Sequence, residues 1–150
     1  MAVKPIPDGY HNVTPYLVVR GIARLIDFLK EAFGAVELER MTLPNGSVTH
    51  AEVQIGDSKV MLGEAGSEHK PICACLLLYV TDVDSVYRQA VQSGGRSLSA
   101  PQDMFYGDRS GGVEDPCGNQ WWISTHKEDV PHDELIRRAQ AARHPSAGDR

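Results

Sequence analysis

The sequence predicts an α+β chain made of two copies of a strand–helix–three-strand unit, and three observations carry that prediction. Displacing the chain by 61 residues lays Ile22, Leu25, Ile26 and Leu29 on Val83, Val86, Tyr87 and Ala90. Both sets have the spacing of an amphipathic helix with one buried stripe. The same displacement lays Gly34 on Gly95, where each helix is expected to close on a left-handed glycine. Farther on, the turn dipeptides Gly56-Asp57 and Gly118-Asn119 correspond at a displacement of 62. A drift of one residue is what a bulge or a loop insertion produces.

The elements follow in order. The first copy, residues 11–64, reads as a strand at 13–19, a helix at 22–33 and strands at 36–41, 47–55 and 59–62. Residues 65–72 form a polar Gly- and Pro-containing linker. The second copy, residues 73–126, reads as a strand at 75–80, a helix at 83–93 and extended runs near 96–99, 111–114 and 120–125. Residues 127–150 are expected to hold a solvated helix from Asp129 to Ala142, with an Asp cap and a proline near its first turn, and then a loose tail. One domain, 1–150, accounts for the whole chain.

Composition bounds the function. With 41% hydrophobic and 23% charged residues the chain is of ordinary globular type, and at 150 residues it needs neither a disulfide nor a metal to hold a core. The formal charge of −5, with basic residues scattered, repels phosphate backbones and anionic lipid, so neither nucleic acid nor membrane is expected as a partner. The first ten residues lack the basic start and apolar run of a secretory signal. The longest apolar run, 72–80, is far short of the roughly twenty residues that cross a bilayer. Cys73, Cys75 and Cys117 match no redox or zinc spacing, and reduced thiols fit a cytoplasmic location.

The strings TPYLVV from Thr14, HAEVQIGDSKVML from His50, FYGDRSGGVEDPCGN from Phe105 and the following QWWISTHKEDV carry a family resemblance. Over about residues 11–130 the chain resembles the vicinal oxygen chelate superfamily, and within it the PhnB-like, glyoxalase/bleomycin-resistance branch. The resemblance implies tandem βαβββ repeats forming a half-open mixed β-barrel, as in the glyoxalase/bleomycin resistance/dihydroxybiphenyl dioxygenase fold. It also implies helices on the convex side, a ligand cavity on the concave side and a homodimer whose partner helps to shape the cavity. Because such folds host lyases, isomerases, dioxygenases, transferases and drug binders, the site has to decide the function.

Metal-dependent members carry His or Gln, Glu, His and Glu in the first and last strands of each copy. Aligned with that pattern, the four seats fall at Thr14 (or Pro15), Val60 (or Leu62), Cys75 and Trp122. Among these, Cys75 alone is of a metal-ligating type, so no metal ion or other cofactor is expected at the family positions. A Trp in place of a carboxylate suits the stacking of a ring or an apolar surface. Strand alternation adds Tyr16, Leu77, Tyr79, Ser124 and His126 to the cavity face, and leaves Trp121 and Ile123 under the helices. In the third strand Ala51, Val53 and Ile55 form the apolar side, with His50, Glu52 and Gln54 together on the other and Glu64 reaching the same space.

His50 beside Glu52 reads in three ways: a general base with its carboxylate, half of a relocated metal site completed by Glu64, Cys75 or His126, or a cross-strand polar pair. Asp108 and Arg109, within a glycine-rich loop from Phe105 to Gly112, either meet an anionic or planar ligand or tie the loop to the scaffold. Phe105 and Tyr106 wall the pocket or belong to the core. Cys75 is a thiolate nucleophile or an inert packing residue. His11, His69, His132 and His144 are expected in solvent. The sequence therefore points to a protein that binds a small aromatic or amphipathic molecule without the family metal. The alternative is a lyase, isomerase or oxygenase that uses His50 and Glu52.

Overall fold

A computed structural model describes residues 2–143; the expected tail, with His144, lies outside the described residues. The first unit holds β1 (Tyr16–Val19), α1 (Ile22–Phe33), β2 (Val36–Thr42), β3 (Val48–Ile55) and β4 (Ser58–Glu64). The second holds β5 (Cys75–Tyr79), α2 (Val83–Gln92), β6 (Arg96–Asp103), β7 (Asp108–Glu114) and β8 (Gln120–His126), and α3 (His132–Arg143) follows. Two mixed four-stranded sheets result, ordered β1-β4-β3-β2 and β5-β8-β7-β6. In each, the first and last strands of the unit pair in parallel and the remaining neighbours are antiparallel. The repeat is visible in the registers: Tyr16 pairs with Met61 as Leu77 pairs with Trp122, 61 residues on in both strands.

One face of each sheet is buried under helices. Leu17, Val19, Val53, Val60 and Leu62 pack with the α1 stripe of Ile22, Leu25, Ile26 and Leu29 in one core. That core continues through Val83, Ala90, Val113, Trp121 and Ile123 of the second unit. The helices lie against each other at the centre, and the Phe33 ring meets Trp121 with centroids 5.0 Å apart. Trp121 and Ile123 thus lie where alternation placed them.

The helix ends show how the two copies diverged. Gly34 closes α1 in the left-handed region at φ 66°, as expected. In α2 the left-handed residue is Gly94, not Gly95; Gly95 is held instead by crowding, because a Cβ there would lie 2.8 Å from the Ala90 carbonyl oxygen. Asp82 caps α2 by accepting from the Ser85 amide. Gly21, which precedes α1, has no side chain to do this, and the Glu64 carboxylate serves in its place. It accepts from the Gly21 amide at 2.8 Å and the Ile22 amide at 2.9 Å. Glu64 is therefore a helix cap, and it also lines a cavity beside Tyr16.

Other boundaries move. β1 begins at Tyr16, so residues 13–15 precede the strand. The β6–β7 hairpin is longer than the sequence suggests, which makes Asp108 and Arg109 strand residues and confines the turn to residues 104–107. α3 starts at His132, directly after Pro131. No helix among the described residues is long and apolar enough to cross a membrane.

Candidate ligand-binding faces

The face of each sheet turned away from the helices carries exposed side chains beside buried ones, Ser110 and Ser124 among the latter. On the first, the pairings align Tyr16, Met61, Glu52 and Glu39 in one row across the strands, and Val18, Gly63, His50 and Met41 in the next. On the second, Leu77, Trp122, Gly112 and Ser99 form the corresponding row, followed by Tyr79, Ser124, Ser110 and Gln102. Tyr16 is 52% exposed, Leu77 54% and Tyr79 60%, an unusual amount of apolar surface for strands this ordered.

Each face carries an aromatic ring laid over a strand glycine. A Cβ on Gly63 would stand 2.7 Å from the Tyr16 hydroxyl and 2.8 Å from its ring. On Gly112 it would stand 2.7 Å from the Trp122 six-membered ring. Glycine inside a strand weakens it and marks a close approach; here the approach is that of the ring that carries the face. Gly112→Ala is expected to push the Trp122 indole off β7 while leaving the fold intact, read as a changed Trp emission spectrum with a stability loss of about 1 kcal/mol.

Polar groups collect beside Tyr16. His50 Nδ1 lies 3.3 Å from the Tyr16 hydroxyl and His50 Nε2 lies 3.6 Å from Glu52 Oε1. The other Glu52 oxygen accepts from the Tyr10 hydroxyl. The segment before β1 reaches back over the sheet to place Tyr10, and Lys59 Nζ sits 4.5 Å above the Tyr10 ring. Burial first, then the hydrogen bond to Glu52, pushes the Tyr10 phenol up to about 12, so it stays a donor. A cavity of about 300 Å³ opens next to this cluster, lined by Tyr16, Val18, Thr49, Gly63, Glu64 and His69. Gln54 shares the face and donates to the Gly56 carbonyl.

On the second face Asp108 is buried and accepts from the Tyr79 hydroxyl and from His126 Nδ1, both at 2.8 Å. His126 Nε2 faces Asp129 at 2.8 Å. The two carboxylates, Asp129 first, hold the His126 pKa above that of an ordinary histidine. A group whose folded pKa is raised stabilises fully below its unfolded value, about 6.5, and loses that contribution as pH rises through the folded value. The urea midpoint is expected to fall across that window, and His126→Asn should flatten the dependence.

The remaining expected residues divide. Thr14 lies just before β1 and lines a shallow hollow with Tyr10 and Lys59, and Cys75 is exposed on the Leu77 side of β5. Contrary to expectation, Leu62 and Val60 do not face the ligand side: both are buried under α1, because Met61 and Gly63 are the β4 residues whose alternation faces outward. Ser124 is on the expected face but wholly buried, its hydroxyl donated to Ser110. Arg109 points to the helix side, bonded twice to Asp84 of α2 at 2.8 and 2.9 Å and once to Asp103. It ties β7 to the scaffold. Phe105 and Tyr106 sit half-exposed in the turn before β7 with their rings edge to face. His11, His69 and His132 are exposed. Met61, Gly63, Gly112, Met41 and Tyr10 were not anticipated; the two strand glycines were the available signal.

A family model described as the glyoxalase/bleomycin resistance protein/dioxygenase superfamily matches residues 10–123. The chain belongs to this superfamily. An uncharacterized protein of Mycobacterium bovis is 35% identical over 134 residues, covering 82% of this chain and 88% of its own. An uncharacterized protein of Mycobacterium tuberculosis H37Rv shares the same identity, with 79% of its length covered. TioX from Micromonospora sp. ML1 has the same fold, with a TM-score of 0.68 and 24% identity over 78% of this chain and 99% of that one. A PhnB protein from Bacillus cereus, described as a putative 3-demethylubiquinone-9 3-methyltransferase, aligns with a TM-score of 0.60 and 18% identity over 77% and 99%.

The observed β1–β4 and β5–β8 registers place Met61, not Val60 or Leu62, opposite Trp122 in the repeat, so the four glyoxalase-type metal seats are Thr14, Met61, Cys75 and Trp122. A hydroxyl, a thioether, a thiol and an indole do not fit a divalent ion that takes imidazole and carboxylate. Among the described residues no group of three or more His, Cys, Asp or Glu side chains converges to hold a metal. The relocated set is not brought together either, since Glu64 caps α1 and His126 is held by Asp108 and Asp129 on the other sheet.

Proposed function

We propose that this superfamily member binds a small aromatic or amphipathic molecule on its open sheet faces, without a metal at the four family seats. One observation carries the reading: rings occupy the ligand face, Tyr16 over Gly63 and Trp122 over Gly112. Aromatic side chains give large contact area with few rotamers to freeze, and Tyr and Trp each add a donor. The reading includes a homodimer, because two open faces bearing Tyr16, Met41, Leu77 and Tyr79 are more apolar surface than a monomer ordinarily leaves in water. It also includes a cytoplasmic location, consistent with three free thiols. Thermal-shift screening against aromatic compounds, run with and without chelator, tests it. Stabilisation that chelator leaves unchanged supports it, and stabilisation that vanishes on chelation counts against it.

A second reading has its own observation: His50 stands between a phenol and a carboxylate. That arrangement suits proton abstraction, with Glu52 orienting the imidazole and stabilising its charged form. If the protein turns over a substrate, His50→Ala is expected to lower kcat by about a hundredfold or more with unchanged unfolding temperature. Unaltered turnover would reject this role.

A further inference from the structure

The internal repeat provides a comparison within the molecule. In the second unit the β7–β8 connection has three turn residues, Pro116, Cys117 and Gly118, closed by the Asp115 amide on the Asn119 carbonyl at 2.8 Å. Cys117 fills the space beside the chain entering α1: its Sγ is 3.5 Å from the Arg20 carbonyl oxygen, and Arg24 donates to the Pro116 carbonyl at 3.1 Å. Burial pushes the Cys117 thiol up, as expected of a packed side chain. In the first unit the β3–β4 connection is one residue shorter, with only Gly56 and Asp57 between the paired Ile55 and Ser58. The residues that would meet the missing side chain are Val80 and Thr81, which correspond to Val19 and Arg20. There a cavity of about 330 Å³ remains, lined by Phe33, Ile55, Gly56, Leu78, Val80 and Val86 among others, none of them charged. A Cβ on Gly56 meets nothing within 4 Å.

We propose that this junction cleft is a second binding site, for a small uncharged apolar ring, opened by the turn residue that the first unit lacks. Its volume lies at the small end of ligand pockets, which run from about 300 to 1,000 Å³, and its walls offer dispersion contact with no ionic partner. The cleft borders the outward face of the second sheet at Tyr79, and its apolar walls do not depend on the role proposed for that face. Cyclohexanol, whose saturated ring has no aromatic face to stack on Trp122, is the probe. Titrated into the protein carrying ¹³C-labelled methyl groups, it is expected to shift the methyl signals of Ile55, Leu78, Val80 and Val86 saturably. Two variants should each weaken that binding about tenfold or more: insertion of one alanine between Gly56 and Asp57, which rebuilds the longer turn, and Val86→Phe, which fills the cleft. The proposal is overturned if the cleft methyls stay unmoved, if the shifts appear at Met61 and Leu77 instead, or if a folded variant keeps the wild-type affinity. Should one variant fail to fold, the other and the wild-type methyl map decide.

Discussion

Asp115→Ala is expected to destabilise the protein by about 3–5 kcal/mol, read as a fall in the urea midpoint with little change in slope. The Asp115 carboxylate is buried and accepts four bonds: from the Cys117 and Asn119 amides at 2.8 and 3.0 Å, and from Asn119 Nδ2 and Trp121 Nε1 at 2.9 Å each. Removing it strands the Asn119 and Trp121 donors in buried positions, and each unsatisfied buried donor costs about 1–3 kcal/mol. Asn119, itself wholly buried, accepts from the Ala74 amide through Oδ1, so the loss spreads to the start of β5. Trp121→Phe removes one of the four donors with its own partner still bonded elsewhere, and should cost about 1–2 kcal/mol by the same measurement. A comparable loss in the two variants would contradict this account of the turn.

The second large effect is expected at Gly107. Its φ is +100°, and a Cβ there would lie 2.2 Å from the Glu128 carbonyl oxygen, a backbone atom that cannot swing aside. The Gly107 carbonyl accepts from both the Lys127 and Glu128 amides, and Arg138 of α3 then bonds Glu128 and the Phe105 carbonyl. Gly107→Ala combines a left-handed backbone on a residue with a Cβ and a collision with main chain, about 2–4 kcal/mol together. Hydrogen exchange should show the effect concentrated in residues 104–107, 127–131 and α3, with β3, β4 and α1 keeping their protection. Uniform loss of protection across both sheets would show that the clamp is not local.

The sequence encodes some of these features locally and others not at all. The repeat, the helix stripes and the helix-facing positions of β3 and β8 follow from periodicity, which the burial of Ala51, Val53, Trp121 and Ile123 reflects directly. Alternation fails where register must be known. Val60 and Leu62 look as suited to the ligand face as Met61 until the pairing of Glu52 with Met61 fixes the parity of β4. Arg109 and Asp108 are adjacent in sequence and lie on opposite faces once β7 is known to begin at Asp108. Glu64 and Tyr10 act across long sequence separations, on Gly21 and Glu52, and no local pattern encodes such contacts. The strand glycines Gly63 and Gly112 were visible as letters, but the rings that require them come from neighbouring strands.

The proposed function requires that aromatic contact, not a coordinated ion, hold a small-molecule ligand. The measurement that tests it most directly is a fluorescence titration with 8-anilinonaphthalene-1-sulfonate on protein of known metal content, repeated after chelation and on Trp122→Ala. The expected result is substoichiometric metal, affinity indifferent to chelation, and a loss of about tenfold or more when the indole is removed. One equivalent of tightly held divalent metal whose removal abolishes binding, with Trp122→Ala binding as the wild type does, would contradict it.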